Sequence, residues 1–405
     1  MKATRLSVSM RSSTLDVAIV GGGPGGSATA ISLLAHAPSL SVILIEATNY
    51  DTSRVGETLP PPTRSILEHL NLWDAFCALG PREVFRTTAV WGQAAPLDND
   101  FIYMPANIGW HVDRTSFDRM LATEAASRGA TLQLGASLRD LGSPDDAWTR
   151  GHRPQWTLRN AEEEQIGDDW RLTLSNGDTL SARFIVDATG GAATLARRLG
   201  AQFVSLDRLV GVTRFFAGGC DDSRLLVEAF EHGWWYTAGL PNGKRITGCI
   251  TDADLAQRMK LRLTEEWQQS LATTSTVAAL MQECKPSSPI VIRSTASRRL
   301  EPVATKRWLA VGDAASRFDP LSSQGIVKAL RSGIFASYAI GDWLRQGDES
   351  GLQRYGRYVQ EEFRSYSEVR RKYYCQEQRW PASEFWRRRH NRLSPTAENL
   401  AEIRG

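Results

Sequence analysis

The residue types and spacing that suggest chemistry begin at Gly21-Gly22-Gly23-Pro24-Gly25-Gly26, followed about twenty positions later by the acid Glu46. Gly21 lets the chain leave a strand in a tight turn, and Gly23 removes the side chain where backbone must approach a pyrophosphate. Gly26 lets the following helix pack closely on that strand. The helix opened by Pro24 turns its free N–H groups and positive dipole end toward phosphates, while Glu46 stands where a carboxylate receives a ribose diol. Together these residues predict a bound dinucleotide.

The loop works only if strands and helices hold it. Asp16-Val-Ala-Ile-Val20 reads as the strand that feeds it, and Ser41-Val-Ile-Leu-Ile-Glu46 as a second strand ending in the acid. Arg183-Phe-Ile-Val-Asp187-Ala-Thr-Gly190 is another strand running into glycine, a return into the same sheet that adds Asp187 and Gly190 as cofactor-binding candidates. Trp308-Leu-Ala-Val-Gly-Asp313 repeats the logic, with Asp313 placed to meet sugar hydroxyls. Pro320-Leu-Ser-Ser323-Gln-Gly325 then starts a helix expected over Ile326 to Trp343, with Ser322 or Ser323 as N-cap. A helix N-terminus there suits a flavin ring, whose edge becomes negative on reduction.

Composition narrows the classes. With 405 residues, 42% hydrophobic and 23% charged, the chain has ample material for a buried core in two or three domains. A net charge of +3 favours neither nucleic acid nor a membrane surface as partner. Lys2, Arg5 and Arg11 precede no apolar stretch of signal-peptide length, because Leu15 to Val20 is already the first strand, and no run spans a bilayer. Five scattered cysteines without a CxxC pair indicate a reducing, cytoplasmic setting with no disulfide framework and no metal site.

Between the glycine motifs lie candidates for the chemistry itself. Val55-Gly-Glu57-Thr-Leu-Pro-Pro-Pro62 is a proline-stiffened extended loop, and Glu57 in it either caps a turn or faces the cofactor ring or substrate. Arg54, just before this loop, is expected at the cofactor. A strand is expected over Val84 to Trp91. Gly109-Trp-His111-Val-Asp-Arg114 precedes a helix over Phe117 to Arg128 with Thr115 as N-cap. Arg114 there either reaches the cofactor or makes a surface ion pair, and His111 is either structural or a proton shuttle near neutral pH. Residues 141–169 read as a solvated excursion, and Asn176-Gly177 as a hairpin turn. From Phe203 to Cys249 the pattern is strand-rich, and period-2 alternation puts Trp234 and Tyr236 on one face and Trp235 on the other. Phe215, Trp234 and Tyr236 are the candidates for a substrate pocket. The tail from Leu352 carries twelve Lys or Arg against seven Asp or Glu on a long helix, either packed back on the body or open to a polypeptide partner.

Three of these stretches, Gly21 to Gly26 with Glu46, Ile185 to Gly190, and Gly312-Asp313 with Pro320 to Gly325, resemble the FAD motifs of the single-component aromatic hydroxylase family. Val55-Gly-Glu-Thr-Leu-Pro, Gly233-Trp-Trp-Tyr, Thr251-Asp-Ala-Asp-Leu, Asp319-Pro-Leu-Ser-Ser-Gln-Gly-Ile and Arg379-Trp-Pro-Ala-Ser-Glu-Phe-Trp-Arg-Arg-Arg-His are similar to the tryptophan halogenase-like branch. Within it the combination is similar to flavoproteins that mature tryptophylquinone enzymes, among them quinohemoprotein amine dehydrogenase and lysine or glycine oxidases. The resemblance implies an α/β fold: a Rossmann-type FAD-binding domain (14–85, 110–200, 300–345), an antiparallel-sheet substrate domain (86–109, 201–299) and a helical C-terminal region (346–405). It also implies FAD, NAD(P)H or a reductase as electron donor, and oxygen transfer to an indole. The implied substrate is a tryptophan in a protein or peptide, such as the small subunit of a quinone-cofactor amine dehydrogenase or oxidase. A small-molecule aromatic hydroxylase or a halogenase is the alternative. Against halogenation, the Trp-x-Trp-x-Ile-Pro signature is missing, Ser322 replaces an acid, and the lysine that handles hypohalous acid falls near Arg86. An arginine, always protonated, cannot replace that amine.

Overall fold

The computed structural model describes residues 14–101, 108–142, 169–218 and 222–390. Cys220, Lys2, Arg5, Arg11 and most of the excursion expected over 141–169 lie outside them. The fold is α/β, with two eight-stranded sheets and helices around them.

The first sheet places Leu15–Val20 (β1) between Val42–Glu46 (β2) and Thr179–Asp187, all parallel, and extends to Thr131–Leu134 on one side and Trp308–Ala310 on the other. Both faces are covered, so these strands are apolar runs without alternation: Val17 to Val20, Val42 to Ile45 and Phe184 to Val186 are all buried. Register aligns the carboxyl ends. Val20 sits opposite Asp187 and Ile45, and Asp187 opposite Ala310. Ligands of such sheets bind where the strands end together.

At that edge β1 turns into Pro24–His36 (α1). Gly21 takes φ 115°, and a Cβ there would stand 2.1 Å from the Ala188 carbonyl oxygen. At Gly26 a Cβ would stand 2.0 Å from the Gly21 carbonyl oxygen. The helix Gly325–Gln346 packs along α1, joined to it by a 2.8 Å hydrogen bond between the Ser337 and Ser32 hydroxyls.

The second sheet runs Val291–Ser294, Leu209–Ala217, Lys244–Asp252, Gly233–Gly239, Leu225–Phe230, Arg86–Val90 and Leu97–Asp100, with only the Leu225–Phe230 and Arg86–Val90 pair parallel. Lys285–Pro286 also pairs with Leu209–Ala217. Side chains alternate as expected. Trp235 packs edge-on to Trp267 at 4.9 Å under the outer helices, whereas Trp234 joins Ile246, Ile250 and Trp386 on the face toward the first sheet.

Several local expectations are corrected. The strand expected over Val84 to Trp91 is two strands: Arg82–Val84 pairs with Gly109–His111, and Arg86–Val90 joins the second sheet. The chain changes sheets at exposed Phe85. The fourteen-residue helix Arg114–Ser127 starts earlier than expected, because the Asp113 side chain, not Thr115, caps it by accepting the Thr115 N–H at 3.1 Å. Neither Ser322 nor Ser323 is the N-cap of Gly325–Gln346; Gln324 stands there without a side-chain bond. The tail helix spans Ser350–Gln376, and its basic extension is bound internally. Arg389 is buried and donates to Asp252 at 2.8 Å, while Arg388 bridges Asp252 and Asp254. No described helix is long and apolar enough to cross a membrane.

The contact at Gly26 gives a direct test. Gly26→Val forces two backbones apart where neither can yield, so it should lower stability by about 3 kcal/mol, read as a fall in urea midpoint. An unchanged midpoint would mean that the turn and helix are not this close.

Candidate active site

A cavity of about 700 Å³ opens where the first sheet's strands end and the second sheet's inner face begins. It brings together most of the residues singled out from sequence. Gly21, Gly23, Pro24, Gly25, Glu46, Arg54, Arg114, Gly190, Asp313, Pro320, Ser323 and Gly325 line it, as do Glu57, Trp234 and Tyr236. Gly26, Asp187, His111 and Phe215 do not.

Each exception has a physical reason. Gly26 faces the Gly21 backbone rather than the cavity. Asp187 folds its carboxylate into its own loop, accepting the Thr189 N–H and hydroxyl on one oxygen and the Ala196 N–H on the other. It is a turn-former, not a cofactor contact. His111 is buried in the small sheet with Nδ1 3.1 Å from the Thr58 hydroxyl. Burial, with Arg82 and Arg245 nearby, pulls its pKa down to about 3, so the ring stays neutral near pH 7 and is not a proton shuttle for the cavity. Phe215 packs in the same apolar cluster as Trp234, beyond the stretch of strand where Gly211 and Thr213 reach the cavity.

At the α1 end the site is built to receive phosphates. A Cβ at Gly23 would meet nothing within 4 Å, so that backbone faces open cavity. Glu46 accepts the Gly22 N–H at 3.0 Å on one oxygen and Arg54 at 2.7 Å on the other. Arg54 also bonds Asp118 at 2.9 Å. Asp118, fully buried, accepts Arg114 on both oxygens at 3.0 Å, and Arg114 donates in turn to the carbonyls of Val55 (2.9 Å) and Gly56 (3.2 Å). Arg114 thereby fixes the loop that carries Glu57. On the opposite side buried Lys328 ties down the third glycine turn, donating to the carbonyls of Gly312 and Ser316 and to Asp313 at 3.0 Å.

Sequence reasoning missed Asp118 and Lys328. Their signals are an Arg-Asp pair four apart on a helix and a lysine inside the apolar run Ile326 to Leu330.

Glu57 is the unusual group. It is 3% exposed, lines the cavity, and its Oε1 has no hydrogen-bond partner. Burial raises its pKa to about 7 against the opposing pull of local backbone N–H groups and Arg114. The same burial, with Glu57 nearby, pushes the Tyr236 hydroxyl well up. Around them the wall is apolar: Leu225, Val227, Trp234, Ile250 and Leu321. A carboxyl poised near neutrality in such a wall can hold or release a proton at Oε1.

Residues 14–361 match the FAD binding domain family. The chain belongs to that family. It is a flavoenzyme of the oxidoreductase type. The chain is 28% identical to the putative FAD-dependent oxidoreductase LodB of Marinomonas mediterranea over 382 residues, covering 93% of this chain and 96% of LodB. Among solved structures it resembles the flavin-dependent halogenase CmlS (TM-score 0.79, 26% identity, 97% of this chain and 70% of that one). It also shares the fold of the peptidyl tryptophan dihydroxylase QhpG (TM-score 0.72, 21% identity, 95% and 80%). The open backbone at Gly23 and the carboxylates of Glu46 and Asp313 fit an FAD. The glycine turn would hold its pyrophosphate and Glu46 its adenosine ribose.

Glu57 gives a stability test. Below pH 4.5 the folded and unfolded chains both keep its proton. As pH rises from 4.5 to 7 the unfolded chain ionises first, so the folded state loses up to ~3 kcal/mol, and the loss is constant above pH 7. Glu57→Gln removes it. The variant's urea midpoint should gain on the parent across pH 4.5 to 7 and then level; a constant difference from pH 4 to 8 would refute the buried neutral carboxyl.

Proposed function

We propose that this protein is an FAD-dependent monooxygenase that hydroxylates the indole of a tryptophan in a protein or peptide, in the maturation of a tryptophylquinone cofactor. The observation that carries the reading is the makeup of the cavity's inner wall. It is apolar and aromatic, holds one carboxyl with a free oxygen, and contains no lysine among its described residues.

A bound FAD would supply oxygen activation. The chain's own residues do the rest. Trp234, Ile250, Leu225 and Val227 exclude water and offer a flat apolar seat for an indole. An indole carbon needs no base to make it nucleophilic, but rearomatisation after oxygen addition releases a proton. In this reading Glu57 Oε1 accepts it, supported by its lack of any other partner, and Arg114 holds the Glu57 loop in place. Arg86, where the halogenase lysine falls, has an exposed side chain paired to Asp98 at 3.0 Å and does not line the cavity. That pairing favours hydroxylation over halogenation.

The proposed electron donor is NAD(P)H, directly or through a reductase. The proposed partner is the small subunit of a quinone-cofactor amine dehydrogenase or oxidase. QhpG, described as a peptidyl tryptophan dihydroxylase, supports a polypeptide substrate. The likeness to CmlS keeps chlorination as the outcome to test against.

Two measurements check this. Gly23→Asp puts a charged side chain into the space facing the pyrophosphate, so the purified variant should lose the flavin absorbance of the parent; retention of the bands would displace the cofactor from the glycine loop. Intact mass of a tryptophan-containing peptide, after turnover with reduced flavin, oxygen and chloride, should rise by one or two oxygen atoms. A chlorine isotope pattern would refute hydroxylation.

A further inference from the structure

Tyr366, Arg370 and Tyr374 recur every four residues on the Ser350–Gln376 helix, which stacks them in one stripe. All three reach Asp319. The Tyr366 hydroxyl accepts the Asp319 backbone N–H at 2.6 Å. Arg370 donates to Asp319 Oδ2 at 3.0 Å and, with its other arm, to Asp207 at 2.8 Å. The Tyr374 hydroxyl donates to the same Oδ2 at 2.7 Å and accepts the Trp234 indole N–H at 3.0 Å. Asp319 uses its second oxygen to accept the Leu321 N–H at 3.0 Å, capping the Pro320–Ser322 turn.

The order of donors is fixed. An indole N–H can only donate, so the hydroxyl that receives it must pass its own hydrogen to Asp319. Burial and the nearby Asp319 carboxylate keep Tyr374 protonated, consistent with that order. Trp234, Tyr374 and Asp319 are each 1% exposed, so each bond replaces water that cannot enter. The two ends of the chain belong to different elements of the cavity lining. Trp234 lies on the second sheet's inner face, whereas Asp319 opens the segment whose Pro320, Ser323 and Gly325 also line the cavity.

We propose that Tyr374 is a positioning residue. By bonding Trp234 and Asp319 at once it sets the spacing and orientation of the cavity's aromatic wall against the Pro320–Gly325 turn, so the C-terminal helix is part of the active-site construction. The inference rests on the reading of this cavity as the FAD and substrate site. It does not depend on which substrate is oxidised.

The test uses the FAD-loaded full chain with Tyr374→Phe, Trp234→Phe, the double variant, and Tyr373→Phe as a control at an exposed neighbour on the same helix. The readouts are the FAD dissociation constant and the visible circular dichroism of the bound flavin, neither of which needs a substrate. Tyr374→Phe should weaken FAD roughly tenfold, as expected for one broken buried hydrogen bond, and change the flavin dichroism. Tyr373→Phe should leave both unchanged. If Tyr374 acts through the Trp234 bond, the double variant should be no worse than the more affected single variant. Parent-like dichroism and affinity in Tyr374→Phe, or single effects that multiply in the double variant, would overturn the proposal. Should Tyr374→Phe fail to fold, Trp234→Phe breaks the same bond from the other side, and parent-like values there would overturn it equally. Absence of hydroxylation by the parent itself, with the FAD affinities and dichroism behaving as stated, would count against the assigned reaction and leave the role of Tyr374 standing.

Discussion

The architecture depends on how closely backbones approach at the Gly21–Gly26 turn. A Cβ at Gly333, on the helix Gly325–Gln346, would stand 2.5 Å from the Gly25 carbonyl oxygen and 2.9 Å from the Ala28 side chain. Ala188 closes in from the neighbouring strand at Gly21. The first glycine turn is therefore in close contact with both the second crossing and the long helix. Because that helix is pinned along α1, its N-terminal approach from Pro320 must fall across the cavity from Gly23. A cofactor spanning from the first turn to the helix start finds both ends already placed.

Electrostatics then distinguishes two neighbouring carboxyls. Asp118 is buried but held by two arginines, and those arginines spend their remaining donors on Glu46, Thr48 and the Val55–Gly56 carbonyls. Glu57, a few residues along the loop so anchored, is equally buried and is left with one oxygen unbonded. The contrast is informative because burying an unpaired carboxylate is costly and a protein core ordinarily supplies a partner. Here the partners are close and are used to fix the loop, while the carboxyl they could have neutralised faces the cavity.

What was legible in the sequence is what is local. Turn glycines, the strand-ending Glu46 and the period-2 alternation of Trp234, Trp235 and Tyr236 follow from backbone geometry over a few residues, and the structure gathers Gly21, Gly23, Glu46, Trp234 and Tyr236 around one cavity with Trp235 on the other face of its sheet. What was not legible depends on contacts across long separations. His111 and Arg114 stand three residues apart, yet one is sealed in a small sheet and the other reaches the cavity's edge, a difference made by strands from elsewhere in the chain. Asp187 ends a strand as Glu46 does, but a helix N-terminus beside it supplies N–H groups that draw its carboxylate away. In the tail, composition left packing on the body and an open basic face as alternatives. Arg370, Arg388 and Arg389 are bound to Asp207, Asp252, Asp254 and Asp319, whereas Arg364, Arg371, Lys372 and Arg387 are exposed.

A fold shared with a halogenase and with a tryptophan dihydroxylase cannot choose between their reactions; side chains in the cavity must. An amine that could carry an oxidised halogen has to be reachable and able to lose a proton. Lys328, the lysine nearest the third glycine turn, is not reachable, since it is 1% exposed and its side-chain nitrogen is spent on Gly312, Ser316 and Asp313. The cationic groups that do line the cavity are arginines, which keep their protons. A buried carboxyl with an unbonded oxygen, by contrast, is present at Glu57, in the same cavity as Trp234 and Tyr236. What sets this cavity apart therefore lies outside the cofactor loop that identifies the family, in one carboxyl left unpaired some thirty residues beyond it.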